Sequence, residues 1–358
     1  MRLRTTWALI ISSQLASCAS PQPQPAEAPA PLPAASIVAQ APEPAAPPPP
    51  APELSPEAKK KAEEQKQLEK DYEKLEADRQ AELSRITPDV RKSGQALVDK
   101  TYPSLSAALA ATLASPHRKP SNSARDADRH PQATLELFGL KPNQTVLELA
   151  PGEGWYTELL APVLAKNGKL YVTQTDPNGP KDQRSTLYGL RTKYFLEKLP
   201  EVYGKVVPVL VDSKAPKLGL DGKMDAVMLF RGAHGMHNNK MLGVWLAEIN
   251  RALKPKGILG IEQHRAAPGQ NPDEASKRGY LPEAFVIEQV EAAGFKLAAK
   301  SEVNANPKDT KDYPEGVWSL PPTLREGEKN KDKYLAIGES DRMTLKFVKV
   351  KDLAPAAK

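Results

Sequence analysis

From about residue 130 onward, short apolar runs alternate with longer amphipathic stretches. The runs predict strands at Val146–Leu149, Lys169–Thr173, Val206–Val211, Asp225–Phe230 and Gly257–Gln263, with Phe295–Glu302 and Met343–Val350 closing the series. Helical spacing fills the intervals. One stretch opens at His130-Pro131 and carries Leu135, Leu137 and Phe138. Others span Tyr156–Lys166, Gly189–Leu199, Met241–Leu253 and Pro282–Ala293. Strand and helix in alternation predict an α/β fold with a mostly parallel sheet covered on both faces.

The first part of the chain follows a different pattern. Arg2 and Arg4 precede a short apolar core, Trp7 to Ile11, too short to cross a bilayer as a helix. Leu15-Ala16-Ser17-Cys18 is similar to a bacterial lipobox, in which the cysteine is acylated and becomes the new N-terminus. Residues 1–18 are therefore expected to be a lipoprotein signal peptide, with Cys18 the lipidation site. Ala19 after the cysteine resembles the pattern that sorts to the outer membrane, so a periplasm-facing anchor is expected. Residues 19–54 are rich in proline and alanine. They carry too little apolar surface to offset ordering entropy and are expected to form an extended tether. At about 3.1 Å per residue such a tether reaches on the order of 100 Å.

Residues 55–86 turn to Lys, Glu, Gln, Ala and Leu. Ser55-Pro56-Glu57 suits a helix start, with a cap, a first-turn proline and an acid at the positive helix end. The thin stripe of Leu68, Tyr72, Leu75 and Leu83 or Ile86 fits a solvated helix with i,i+4 ion pairs. A short coiled coil or a docking helix is the alternative. Residues 87–358 then form one domain, long enough for a sizeable core.

Charge and cysteine content narrow the classes. The formal charge is +6, two of which belong to Arg2 and Arg4, and no arginine-rich or aromatic-interleaved run is present, so nucleic acid is not an expected partner. Cys18 is the single cysteine, which rules out an internal disulfide.

The densest chemical signal is Val146–Tyr156, read Val-Leu-Glu-Leu-Ala-Pro-Gly-Glu-Gly-Trp-Tyr. An apolar strand holds Glu148, then a turn offers Gly152 and Gly154, whose missing side chains let the backbone approach a ligand. The helix that follows presents unpaired N–H groups. A dinucleotide site would want Gly or Ala at position 157, where Thr157 stands. A strand-to-helix turn with no ligand is the remaining alternative.

Three features in order resemble the class I S-adenosylmethionine-dependent methyltransferases over about residues 125–350. They are the Glu148–Gly154 loop, Asp176 just past the second strand, and Asn250-Arg251-Ala252-Leu253-Lys254-Pro255-Lys256-Gly257 before the fifth. Gly279-Tyr280, Val317–Pro322 and Asp341–Leu345 resemble an exported lipoprotein branch of that family. The resemblance implies a Rossmann-like, doubly wound, seven-stranded sheet with a C-terminal antiparallel strand. It implies S-adenosyl-L-methionine as cofactor, with its methionine moiety over Gly152–Gly154, its ribose on Asp176 and its adenine near Asp212. Glu148 would buttress the loop or meet the cofactor amine. Ala150 and Pro151 depart from the family pattern, replacing a glycine and a variable residue. Alanine adds only a methyl and is expected to be tolerated; proline stiffens the loop and removes an N–H.

In the family the acceptor meets the cofactor beyond the fourth strand. Here that segment reads Arg231-Gly232-Ala233-His234-Gly235-Met236-His237-Asn238. Imidazole titrates near neutrality, so His237, or else His234, is expected as general base. Arg231, for an acidic acceptor group, and Asn238 and His264 are the expected substrate contacts. His234, His237 and His264, with Glu262, could instead gather a metal, but Gly235 weakens a helix there and the set mixes two loops. No metal is expected. Gly-x-Ser-x-Gly is absent.

Two functions follow. One is an envelope-anchored methyltransferase acting on a small molecule or envelope component. The other is a non-catalytic module of the same fold that binds a nucleoside-like ligand or an envelope partner. The first needs its cofactor, made in the cytoplasm, delivered outside it.

Overall fold

The computed structural model describes residues 55–353. The lipobox, Cys18 and the proline-rich segment lie outside the described residues. Seven strands form one sheet: β1 (Thr145–Leu149), β2 (Lys169–Gln174), β3 (Val207–Leu210), β4 (Met224–Phe230), β5 (Leu253–His264), β6 (Phe295–Ser301) and β7 (Arg342–Lys349). Their order is β3-β2-β1-β4-β5-β7-β6. The pairs from β3 to β5 are parallel. Only β7 runs against its neighbours, inserted between β5 and β6. This is a Rossmann-like, doubly wound sheet with one antiparallel strand near its edge, as the sequence pattern and the resemblance led one to expect.

Both faces of the sheet are buried, and β4 shows how the sequence achieves it. Val227 and Leu229 enter one core with Trp245, Ile249 and Val286. Ala226, Met228 and Phe230 enter the other with Leu109, Phe138, Leu159 and Leu160. Alternate side chains point to opposite faces, so a continuous apolar run fills two cores at once. The helix Leu242–Ala252 covers the first face, and the helices Leu105–Leu113, Pro131–Phe138 and Thr157–Leu164 cover the second.

The lysine- and proline-containing turn at Lys254–Gly257 belongs to β5 itself. The strand begins at Leu253, paired with Met224, and the register shifts before Ala226 pairs with Ile258. The extra residues bulge out, and the turn that the sequence pattern sets before the strand becomes its irregular first part.

The helix Pro56–Arg85 is 30 residues long and starts on Ser55, whose Oγ accepts from the Ala58 N–H at 3.2 Å. It lies against the helix Arg184–Glu197. Asp71 pairs with Arg184 at 2.6 Å, Glu82 with Lys198 at 3.2 Å, and Arg79 stacks over the Tyr194 ring at 4.4 Å. Leu68 and Ile86 are buried. Its polar residues thus serve as docking contacts to the domain as well as a solvated face. Among the described residues no helix is long and apolar enough to cross a membrane.

Candidate cofactor and acceptor site

The strand order reverses between β1 and β4, and in open α/β sheets ligands bind beyond the carboxyl ends of the strands at such a point. A cavity of about 770 Å³ opens there. Leu149 to Gly152 line it from β1, Gln174 and Thr175 from β2, Val211 and Ser213 from the segment after β3, and Arg231 from the end of β4. Tyr188, Trp245 and Trp318 supply aromatic walls. Its size suits a small organic ligand.

The loop from β1 is held from below. The Ala150 N–H donates to Thr173 Oγ1 at 2.7 Å, and the Gly154 N–H to the Pro151 carbonyl at 2.9 Å. Gly152 and Gly154 both take left-handed backbone, with φ of 62° and 77°. Their surroundings differ. A Cβ on Gly152 would meet nothing within 4 Å, whereas one on Gly154 would stand 2.3 Å from the Phe195 ring. Gly152 is open for a ligand, and Gly154 is the glycine that lets the helix Arg184–Glu197 close in. Ala150 also takes positive φ, 47°, a conformation that L-residues adopt at a cost. The alanine in place of glycine is thus tolerated with backbone strain.

Glu148 does not line the cavity. It is buried, and its Oε2 accepts from Thr157 Oγ1 at 2.7 Å. Burial pushes its carboxyl up to about 7, against the lowering pull of the Thr157 hydroxyl and the Arg231 charge. Its place is beneath the glycine loop, fastening the strand to the first turn of the next helix.

Asp176 and Asp212 stand at the tips after β2 and β3, both exposed, each next in sequence to a cavity-lining residue. The Oδ1 of Asp176 accepts from the Asn178 N–H at 2.8 Å, and that of Asp212 from the Lys214 N–H at 2.8 Å. Both fix their own turns, and the polar groups lining the cavity wall there are Gln174, Thr175 and Ser213.

A second cavity, about 330 Å³, adjoins the first. The two share Ala150, Pro151, Gly152, Arg191, Arg231 and Trp318. Its remaining walls include Arg125, Arg129, Trp155, His264, Pro321, Pro322, Glu339 and Ser340. Beneath it runs a buried polar chain. Tyr156 stacks on Phe230, with ring centroids 3.4 Å apart, and its hydroxyl donates to Glu262 Oε2 at 2.6 Å. Glu262 Oε1 stands 2.8 Å from Arg342 Nε, and Arg342 Nη1 donates to Glu339 at 2.8 Å.

The three site histidines separate in space. His264 lines the second cavity, with Nδ1 2.6 Å from Ser340 Oγ and Nε2 without a partner among the described residues. Burial, then the neighbouring His234, Arg231 and Arg342, hold its imidazole well below the usual range, so it is neutral at pH 7. His234 lies behind it, with ring centroids 5.9 Å apart and Nδ1 3.2 Å from Gln263 Nε2. Burial lowers its basicity as well. His237 lines neither cavity. Its Nε2 pairs with Asp273 Oδ1 at 2.8 Å, and its ring meets Phe285 edge-on. His237, expected as base, thus has its side chain engaged away from both cavities. The helix Ala233–Asn238 does form, and His237 in its last turn meets Asp273 of the helix Pro272–Lys277. Asn238, an expected substrate contact, follows it, donating to the Ser276 carbonyl at 2.8 Å and accepting from Ser276 Oγ at 2.7 Å, so it braces two helices and lines neither cavity. Among the described residues no group of three or more His, Cys, Asp or Glu side chains is gathered for a metal. Glu262 is committed to Tyr156 and Arg342.

Arg125, Arg129, Trp318 and Ser340 escaped the sequence reading. Arg125 and Arg129 are four apart, a spacing that puts both guanidinium groups on one helical side once that turn is read as helix. Trp318, in the segment Val317–Pro322 already noted, sits in the short 3-10 turn Gly316–Ser319 and Ser340 in a loop, neither with a period that marks a site residue.

No protein-family model matches the chain, and no curated protein matches it. Solved structures do. A SAM-dependent methyltransferase from Aquifex aeolicus is 20% identical over 65% of this chain and 94% of its own, with a TM-score of 0.43. The 1,6-didemethyltoxoflavin-N1-methyltransferase of Burkholderia thailandensis, solved with 1,6-didemethyltoxoflavin and S-adenosylhomocysteine, is 14% identical over 65% of this chain and 82% of its own, with a TM-score of 0.39. Fibrillarin from Aeropyrum pernix, solved with S-adenosyl-L-methionine, is 14% identical over 62% and 76%, with a TM-score of 0.36. These are likenesses of fold and assign no residue a role here.

Proposed function

We propose that the chain binds S-adenosyl-L-methionine in the larger cavity and transfers its methyl group to an acceptor held in the smaller one. The observation that carries this reading is the open face of Gly152, a left-handed glycine at the switch point with a cavity in front of it and a strained Ala150 beside it. The residues fit such a cofactor in size and in cradle. The Ala150–Gly152 loop would hold its methionine end, Gln174 and Thr175 with Asp176 its ribose, and Ser213 with Asp212 its base. When bound, the cofactor supplies an electrophilic methyl on a sulfonium.

The chain's own residues then have defined tasks. Glu148 and Thr157 keep the loop in place. Arg231 and Trp318, common to both cavities, mark where acceptor and methyl meet. His264 offers a neutral Nε2 to take the proton that the acceptor's nucleophile loses, while Ser340 orients the ring through Nδ1. Its weak basicity suits an acceptor that is itself acidic.

The lipobox supports attachment through Cys18 to a bacterial envelope membrane, with the domain held off by the proline-rich segment. Metabolic labelling with a fatty acid, lost in Cys18→Ala, is the result this predicts. For the cofactor, Trp245 and Trp318 act as reporters: S-adenosylhomocysteine should perturb the intrinsic fluorescence saturably. A non-catalytic module would show the same binding without methyl transfer to any envelope fraction. Unperturbed fluorescence up to millimolar ligand would count against both readings.

A further inference from the structure

We propose that the smaller cavity is an oxyanion site and that the methyl acceptor carries a carboxylate or phosphate group, bound by Arg231. This rests on the reading of that cavity as the acceptor site. The first observation is Arg231 itself. It lines both cavities, yet its guanidinium makes no hydrogen bond or ion pair among the described residues. Its backbone is held at φ 55°, with its N–H donating to the Glu262 carbonyl at 2.6 Å. A strained backbone thus presents a part-buried cation to the cavity with no carboxylate bonded to it, buried Glu148 acting on it only through space.

The second observation is the charge beside it. Arg125 Nε donates to Glu339 Oε1 at 2.6 Å, Arg129 Nε to Glu339 Oε2 at 3.0 Å, and Arg342 to the same carboxylate. Three guanidinium groups share one acid. Arg129 is nine-tenths buried or more, and its Nη1 has no partner among the described residues; the same holds for Nη2 of Arg125. Of the other acids nearby, Glu262 is committed to Arg342 and Tyr156, Asp128 acts on Arg342 from an exposed position, and Glu153 lies exposed at the rim. The field in the cavity is positive: after burial, the largest cause, the charges of Arg231 and Arg342 add to the lowered basicity of His264 and Arg125. Low-dielectric walls strengthen such a field for an entering anion. Trp155 and Trp318 add flat apolar walls, which favours an anionic group on a planar, unsaturated body.

The test uses the full chain and three probes that share one phenyl ring, benzoate, phenyl phosphate and benzyl alcohol, titrated calorimetrically. At least one anion should bind, and neutral benzyl alcohol about tenfold or more weaker. Preference for benzoate names a carboxylate acceptor, preference for phenyl phosphate a phosphorylated one. Arg231→Asn keeps a residue that tolerates left-handed backbone and should weaken the anion about tenfold or more. Its circular dichroism should match the wild type. Equal binding of anion and alcohol, no binding of either anion, or undiminished anion binding by a folded Arg231→Asn would overturn the proposal. S-adenosylhomocysteine is titrated into the same samples. Anion binding without it would strike the cofactor reading and leave the anion site standing.

Discussion

Thr157 Oγ1 donates to Glu148 Oε2 at 2.7 Å, joining the end of β1 to the helix that follows the glycine loop. Position 157 argued against a dinucleotide site because it is not glycine or alanine. The contact supplies the positive reason for threonine there, since a buried carboxyl needs a hydrogen-bond donor.

The burial of that carboxyl, which outweighs the Thr157 contact, predicts a pH dependence. The Glu148 carboxyl is raised from its ordinary 4.5 to about 7, so the folded state favours its protonated form. Its contribution to stability is full below the unfolded value and is lost as pH rises through 7. Ligand-free Glu148→Gln should therefore gain on the wild type between pH 4.5 and 8, by up to about 3 kcal/mol. Thermal melts of both proteins at pH 5 and 8 read it. A constant gap would contradict the assignment.

Gly152 and Gly154 separate binding from folding. Gly152→Ala meets no atom and should cost about 1 kcal/mol for its backbone, with a cofactor affinity at least tenfold lower. Gly154→Ala drives a methyl into the Phe195 ring and should lower the melting temperature far more. Equal effects of the two on stability would remove the distinction.

In the proposed cofactor pose Asp176, next to the cavity wall, would reach the ribose hydroxyls, though its Oδ1 already holds the Asn178 N–H. Asp176→Ala should weaken cofactor binding by roughly 1.5–3 kcal/mol, the range for hydrogen bonds to a charged group. Unchanged affinity in a titration would leave Asp176 as a turn-former only.

For the histidines, His264→Ala should abolish methyl transfer while keeping cofactor affinity. His237→Ala should keep turnover and cost less than about 1 kcal/mol of stability, as befits a pair with an exposed acid. Single-turnover assays with the acceptor would show the reverse if His237 were the base.

The sheet was legible because β1, β4 and β5 are apolar on both faces, and a run such as Ala226–Phe230 has few other uses. The glycine loop was legible because positive φ leaves its mark on residue choice. The destination of His237 was not. Its partner Asp273 lies 36 residues away, and only the packing of two short helices brings the pair together. The wall of the smaller cavity, His264 apart, was hidden for a similar reason. Arg125, Arg129 and Ser340 converge from distant parts of the chain, and Glu339, which binds the arginines, is 210 residues from Arg129.

The central claim is a cofactor in the larger cavity, and calorimetric titration of the full chain with S-adenosyl-L-methionine and S-adenosylhomocysteine tests it most directly. The account predicts one site per chain, micromolar affinity for both, and marked weakening in Gly152→Ala. A folded protein that takes up neither ligand at millimolar concentration would contradict it.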